Sequence, residues 1–290
     1  MATALKPRLP APRRLTVVFL LLFVVIAAPL IASAQHPTLF AQGANAVLQD
    51  RFSRPELSWI LLDRTGNLLA QRWDAPNKPI PPGSLVKPFV SIAYAEQHGG
   101  RFPHVRCLGT ASMCWLPRGH GDLDLEHAIA NSCNAYFLSL AADLDREAAI
   151  RKLHTFGLAG PGPEADARTF IGLSPGWRET PLVLGRAYLA LLDYPSLAVR
   201  TRVLRGMAGA ASYGTAESVD AALGQNAAMA KTGTASCTHT HRAPADGFAV
   251  VLLPADEPRY LLLVRMHGTT GAHTAAVAAE MLRAIGLGQP

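Results

Sequence analysis

The chain has 290 residues, 49% of them hydrophobic, which is enough for one large core or two lobes sharing a cleft. Its formal charge of +6 is concentrated at the start, where residues 1–34 carry Lys6, Arg8, Arg13 and Arg14 and no acid. The remainder holds 23 basic and 21 acidic residues with no Lys/Arg run, so a nucleic-acid partner is not expected.

The first 34 residues read as a targeting segment. Four basic residues precede an apolar run from Leu15 to Ile31, and Ala32-Ser33-Ala34 follows as an A-x-A site. Cleavage after Ala34 as a signal peptide and retention as an N-terminal membrane anchor, in contact with the inner membrane, are both open; the run of 17 residues is at the lower limit for a span. Either way the rest is expected outside the cytoplasm, in the periplasm.

Residues 35–57 form a connector with helical potential from Ala44 to Phe52. Ser58–Asp63 and Leu68–Trp73 are two apolar strands joined through Arg64-Thr65-Gly66-Asn67, a hairpin. Pro76, Pro79, Pro81, Pro82 and Gly83 make a rigid approach to a helix expected to start at Ser84 and stop at Gly99-Gly100, with Pro88 in its first turns. Residues 101–121 read as a loop. Short helices are expected over 122–130 and 135–144, an amphipathic one over 145–156, and further helices over 182–192 and 201–211. The C-terminal part turns to strands at 228–240, 248–253 and 259–267, then an Ala-rich helix over 272–285. The expected fold is therefore α/β (α+β). One five-stranded antiparallel sheet is built from both ends of the chain and flanked by helices, with an all-helical subdomain at about 100–200 and a cleft at the junction.

Three short motifs stand in order: Ser84-Leu85-Val86-Lys87, Ser132-Cys133-Asn134 and Lys231-Thr232-Gly233-Thr234-Ala235. Each alone has an ordinary reading, as a helix cap, a turn and a strand start. Together they supply the parts of a serine acyl-transfer site. Serine needs a base to act as a nucleophile. Lys87, three residues along a helix, lies on the same face as Ser84. Burial and a second cation, Lys231, would lower its pKa into a useful range. Ser132 can relay a proton, and Asn134 can orient Lys87 and hydrogen-bond a substrate amide. Thr232 and Thr234 can bind a carboxylate together with Lys231, and Gly233 lets a substrate lie close to the strand. The backbone N–H groups of Ser84 and Ala235 would hold an oxyanion.

The four cysteines are Cys107, Cys114, Cys133 and Cys237. Cys107 and Cys114 enclose a short loop, so a disulfide between them and two free thiols are equally open. Cys133 and Cys237 read as free, buried thiols. Cys237, His239 and His241 alternate along a strand and could share one face, but no fourth ligand is evident. No metal or cofactor is expected. His120 is read as a brace for the Ser132 turn, and His127 and His154 as surface residues. Arg265 and His267 could line the cleft.

These motifs resemble those of penicillin-binding protein transpeptidase domains, within the serine penicillin-recognising enzymes that also include β-lactamases. The likeness extends to Pro82-Gly83, Pro88-Phe89, Gly119-His120-Gly121, Phe137, Thr180-Pro181-Leu182, Arg186-Ala187-Tyr188, Gly206-Met207 and Gly214-Thr215-Ala216, and covers about residues 55–287. It implies acylation of Ser84 with Lys87 as base and Ser132, Asn134, Lys231 and Thr232 as partners. It also implies a peptidoglycan stem peptide ending in D-Ala-D-Ala as substrate, and β-lactams as its mimics. A cell-wall synthesis protein is a possible partner. The implied activity is D,D-transpeptidation; D,D-carboxypeptidase, a class D-like β-lactamase and a non-turnover β-lactam or muropeptide sensor are the alternatives. The chain departs from the family at Asp246-Gly247-Phe248-Ala249, where an aromatic-rich W-F-x-G is common. It has no match to the E-x-x-L-N loop of class A β-lactamases, the nearest acidic stretch being Glu164-Ala165-Asp166. Asn134 also stands where class D enzymes usually carry valine. A minimal transpeptidase-like domain over 58–290 is expected.

Overall fold

The computed structural model describes Met1, residues 38–237 and residues 245–288. The targeting segment, His239 and His241 lie outside the described residues. Among the described residues no helix is long and apolar enough to cross a membrane.

Helix α1 (Leu39–Arg51) starts earlier than its sequence suggests, because the Thr38 hydroxyl caps it by accepting from the Ala41 N–H. It leads into the hairpin β1 (Leu57–Asp63) and β2 (Leu68–Arg72). Near the other end of the chain come β5 (Met229–Ala235), β6 (Asp246–Leu253) and β7 (Tyr260–His267). The five strands form one antiparallel sheet in the order β2-β1-β7-β6-β5, so β7 joins the first hairpin to the last strands.

The sheet is apolar on both faces. Along β1, Ile60 and Leu62 enter one core cluster while Trp59 and Leu61 enter a second. Along β6, Phe248, Val250 and Leu252 join the first cluster and Ala249, Val251 and Leu253 the second. This two-residue alternation is why the central strands read as unbroken hydrophobic runs. The second cluster is closed by α1, α9 (Ser218–Leu223) and α10 (Gly271–Ala284). The first is closed by α2 (Lys87–Gln97), α3 (Leu125–Ala130), α4 (Asn134–Ala142), α5 (Arg146–His154), α7 (Pro181–Leu191) and α8 (Leu197–Ser212). The short α6 (Ala167–Phe170) and α9 leave too little periodicity to be seen in sequence.

Two boundaries differ from expectation for identifiable reasons. Ser84 does not begin an α-helix; it lies in a 3₁₀ turn, Gly83–Val86, and α2 begins at Lys87. Pro88 has no N–H to close an α-turn onto the Ser84 carbonyl, which accepts from the Lys87 N–H instead. Residues 101–121 are not all loop. Val105–Cys107 and Gly121–Leu123 pair as a small antiparallel ribbon, β3 and β4, and α3 starts only after Asp124, whose carboxylate caps the His127 N–H.

Candidate active site

The 3₁₀ turn and the edge strand β5 are pressed together. A Cβ on Gly83, whose φ is +57°, would stand 2.8 Å from the Thr234 carbonyl oxygen. A Cβ on Gly233 would stand 3.0 Å from Leu85 Cγ. Glycine at both positions is thus what lets the Ser84 turn approach the strand.

Strand periodicity then sorts the β5 side chains. Lys231 and Gly233 pair with Val250 and Phe248, whose side chains point to the helical core. Lys231 therefore projects toward α2 and the Ser132 turn, where its Nζ donates 2.7 Å to Ser132 Oγ and 2.8 Å to the Thr232 carbonyl. Thr232 and Thr234 face the other way, toward α10. Thr232 Oγ1 lies 2.6 Å from Thr215 Oγ1, and Thr234 Oγ1 accepts from the Gly271 N–H at 3.0 Å.

Lys87 approaches the same turn from α2. Its Nζ donates to the Ser132 carbonyl and to Asn134 Oδ1, both at 2.7 Å, and stands 5.4 Å from the centre of the Phe137 ring. Ser132 has a left-handed backbone, φ +50°, which points its carbonyl and hydroxyl at different lysines. Both amines are fully buried. Burial lowers the Lys87 pKa to about 7, and burial together with the Lys87 charge holds Lys231 well below the ordinary lysine value.

A cavity of about 380 Å³ opens at this junction, lined by Ser84, Ser132, Asn134, Thr232, Gly233 and Thr234, with Thr215 and the start of α10 along one wall and Trp115 and Leu173 also bordering it. The three motifs thus meet at one pocket. Neither lysine lines it: each reaches the cavity through the side chains it holds. Ala235 is not part of the lining either; it closes β5, partly buried against the helical core. Sequence reasoning missed Thr215 as a site residue, although Gly214-Thr215-Ala216 was visible as a motif.

Several other readings change. Cys107 and Cys114 form no disulfide; all four cysteines are free thiols. A third sulfur and an imidazole join them in one cluster. Cys107 Sγ and Cys114 Sγ each lie 3.5 Å from His120 Nδ1, and Cys114 Sγ lies 3.7 Å from Cys133 Sγ. Cys237 is half-buried rather than buried. Arg265 does not line the cavity; it stacks 4.7 Å from the Trp73 ring centre and donates to Ser58 Oγ. His267 Nδ1 pairs with Asp246 at 2.6 Å. Asp166 caps the Thr169 N–H, and Glu179 is engaged by Trp177 Nε1 and the Gly160 N–H, so neither carboxylate faces the cavity.

Sequence comparison finds no matching family model and no matching curated protein. Comparison of structures does find relatives. Pseudomonas aeruginosa PBP2 in complex with WCK 5153 superposes with TM-score 0.68 at 19% identity, over 85% of this chain and 72% of that one. The TP domain of Burkholderia pseudomallei penicillin-binding protein 3 gives 0.65 at 18% identity, over 87% and 95%. PBP2 of Helicobacter pylori, in a complex with MreC, gives 0.68 at 16% identity, over 84% and 62%. With its five-stranded antiparallel sheet, its flanking helices and three motifs meeting at one pocket, the chain has the fold of penicillin-binding protein transpeptidase domains.

Proposed function

We propose that the chain is a penicillin-binding serine D,D-transpeptidase, acting outside the cytoplasm on peptidoglycan stem peptides that end in D-Ala-D-Ala. The observation that carries this reading is the pair of buried amines, Lys87 and Lys231, tied to opposite sides of Ser132 at the rim of a cavity lined by Ser84.

A neutral lysine has two N–H bonds and one lone pair. The Ser132 carbonyl and Asn134 Oδ1 take up both N–H bonds of Lys87, which leaves its lone pair for the proton of the Ser84 hydroxyl, one turn away. Ser84 Oγ then attacks the carbonyl of the penultimate D-Ala, and the Lys87 amine takes the proton. The backbone N–H of Ser84, which lines the cavity, holds the oxyanion; loss of one such donor typically costs about 10²–10³-fold. As the C–N bond breaks, Ser132 Oγ gives its proton to the departing D-Ala amine and regains one from Lys231. Thr232 and Thr234 hold the terminal carboxylate through their hydroxyls; Lys231, buried behind them, contributes its proximity rather than a direct contact. An amine of a second stem peptide then attacks the ester on Ser84: the amine gives up a proton through Ser132 to Lys231, the C–O bond to Ser84 breaks as Lys87 returns its proton to Ser84 Oγ, and the cross-link amide forms.

No Asp, Glu or His is among the described residues lining the cavity, so no carboxylate or imidazole there activates water. This favours transfer to an amine over rapid hydrolysis and argues against β-lactamase turnover. A Helicobacter pylori structural relative was captured with MreC, which supports a cell-wall synthesis protein as partner for this chain too.

The test is covalent labelling with a fluorescent penicillin, followed by intact mass and peptide mapping. One penicilloyl adduct on Ser84 is expected; an adduct elsewhere, or none, overturns the reading. Incubating a D-Ala-D-Ala peptide with and without an amine acceptor then separates cross-linking from carboxypeptidase trimming.

A further inference from the structure

Around Cys133 of the Ser132 turn, four side chains with soft donor atoms converge. Cys107 ends β3, and Cys114 follows the short 3₁₀ turn Gly109–Ser112. His120 immediately precedes β4, and Cys133 is the N-terminal cap of α4, where it makes no side-chain capping bond. One donor atom from each lies within 4.8 Å of the others, and the three cysteines are buried.

Their spacing discriminates between a covalent and a coordinate arrangement. A disulfide requires sulfurs about 2.05 Å apart. Ligands around a tetrahedral zinc, with Zn–S about 2.3 Å and Zn–N about 2.0–2.1 Å, lie roughly 3.8 Å apart for sulfur pairs and roughly 3.5 Å for sulfur and nitrogen. The observed distances are 3.7 Å between Cys114 and Cys133 and 3.5 Å from His120 Nδ1 to each of Cys107 and Cys114.

Hydrogen bonding alone serves this cluster poorly. The Nδ1 atom of His120 has only two thiols as partners, which are weak donors, and its Nε2 is buried without a partner. Three thiols also cannot all be satisfied by pairing with one another. A metal ion engages all four groups: the sulfurs bind as thiolates and Nδ1 through its lone pair, with the ring proton on Nε2.

We propose that Cys107, Cys114, His120 and Cys133 form a structural Cys₃His zinc site that fastens the β3–β4 ribbon to the start of α4. The ligand set is closed, with four protein donors and no open position, which is the arrangement of a structural rather than a catalytic zinc. On binding, three thiol protons are released to solvent and three Zn–S bonds and one Zn–N bond form, with no change of oxidation state. The Cys237, Asp246 and His267 group has only three donors, two of them already paired with each other, and carries no such proposal.

The test is elemental analysis of the full chain purified without chelator, with free thiols counted before and after metal release. One zinc per chain is expected, with three thiols becoming reactive as it leaves. Replacement by cobalt should give thiolate-to-metal charge-transfer bands and the intense visible bands of a tetrahedral ion. Cys107→Ser and His120→Ala should weaken the metal by more than the ~10–100-fold that loss of an outer-shell partner costs, while Cys237→Ser keeps it. If these variants do not fold, zinc release and thiol counting on the unaltered chain decide alone. A disulfide between any two of the three cysteines, iron in place of zinc, or a chain that takes up no cobalt through thiolates overturns the proposal. None of these readouts depends on penicillin labelling, so this site and the acyl-transfer reading fail separately.

Discussion

Lys87 Nζ and Asn134 Oδ1 lie 2.7 Å apart although α2 and α4 approach the pocket from different segments of the chain. The contact sets which way the amine points. Asn134→Ala should therefore impair the base without removing it, whereas Lys87→Ala removes it. General-base catalysis is worth about 10²–10⁴-fold, so the penicillin labelling rate of Lys87→Ala should fall by at least about a hundredfold, with Asn134→Ala between it and the unaltered chain. Near-normal labelling of Lys87→Ala would exclude its role as base.

The acylation rate should follow the neutral fraction of Lys87. With a pKa of about 7, the rate rises about tenfold per pH unit below neutrality and levels off above it. Labelling rates between pH 5.5 and 8.5 check this, and a flat profile through pH 7 contradicts it.

Stability carries the same signature with a defined sign. In the folded chain Lys87 loses its proton near pH 7, whereas in the unfolded chain it holds it to the ordinary lysine value. Between those limits the unfolded state binds more protons, so this group makes folding more favourable as pH rises, and below pH 7 the cost of burying the ammonium is present in full. Lys231 acts in the same direction. The thermal midpoint should rise from pH 7 to 9, and Lys87→Met should flatten that rise; an unchanged slope in the variant would remove Lys87 as its source.

Gly83→Ala meets two penalties, a left-handed backbone and a Cβ 2.8 Å from the Thr234 carbonyl. It should cost about 1–3 kcal/mol and push β5 away from Ser84, lowering both thermal midpoint and labelling rate. Gly99→Ala shares the positive φ but meets nothing within 4 Å, so it should lose about 1–2 kcal/mol and keep its labelling rate. Equal labelling by the two variants would show that the close approach of turn and strand is immaterial.

An adduct on Ser84 should persist for many minutes, because no acid or imidazole is among the described residues lining the cavity. Time-resolved intact mass after removal of free penicillin reads this directly. Rapid nitrocefin turnover would reverse the conclusion in favour of a β-lactamase.

The strands were legible because β1, β6 and β7 are covered on both faces and so appear as continuous apolar runs, and strands at both ends of the chain pointed to one shared sheet, whose strand order only the structure shows. Ser84, Ser132, Asn134, Thr232 and Thr234 were legible because their spacing reproduces a motif set, and the structure brings them to one cavity. What sequence could not show was three-dimensional. Pro88 reads as tolerated in a first helical turn, yet its missing N–H shifts the helix start to Lys87. Lys231 reads as a cation facing substrate, yet register turns it inward to Ser132. Cys107 and Cys114 look like a pair because they are near in sequence, and nothing in that spacing shows that Cys133 and His120 close the same cluster.

The sheet also dictates the order in which the molecule can be assembled. Leu57 pairs with Met266, so the first hairpin waits with one side unclaimed until nearly the last segment emerges. Chains dominated by such remote pairings fold slowly, and a bare apolar strand edge is prone to self-association in the meantime. Truncation before β7 should accordingly yield an insoluble fragment rather than a smaller working unit, and production of the protein should depend on keeping the nascent chain apart from its neighbours until both ends have met.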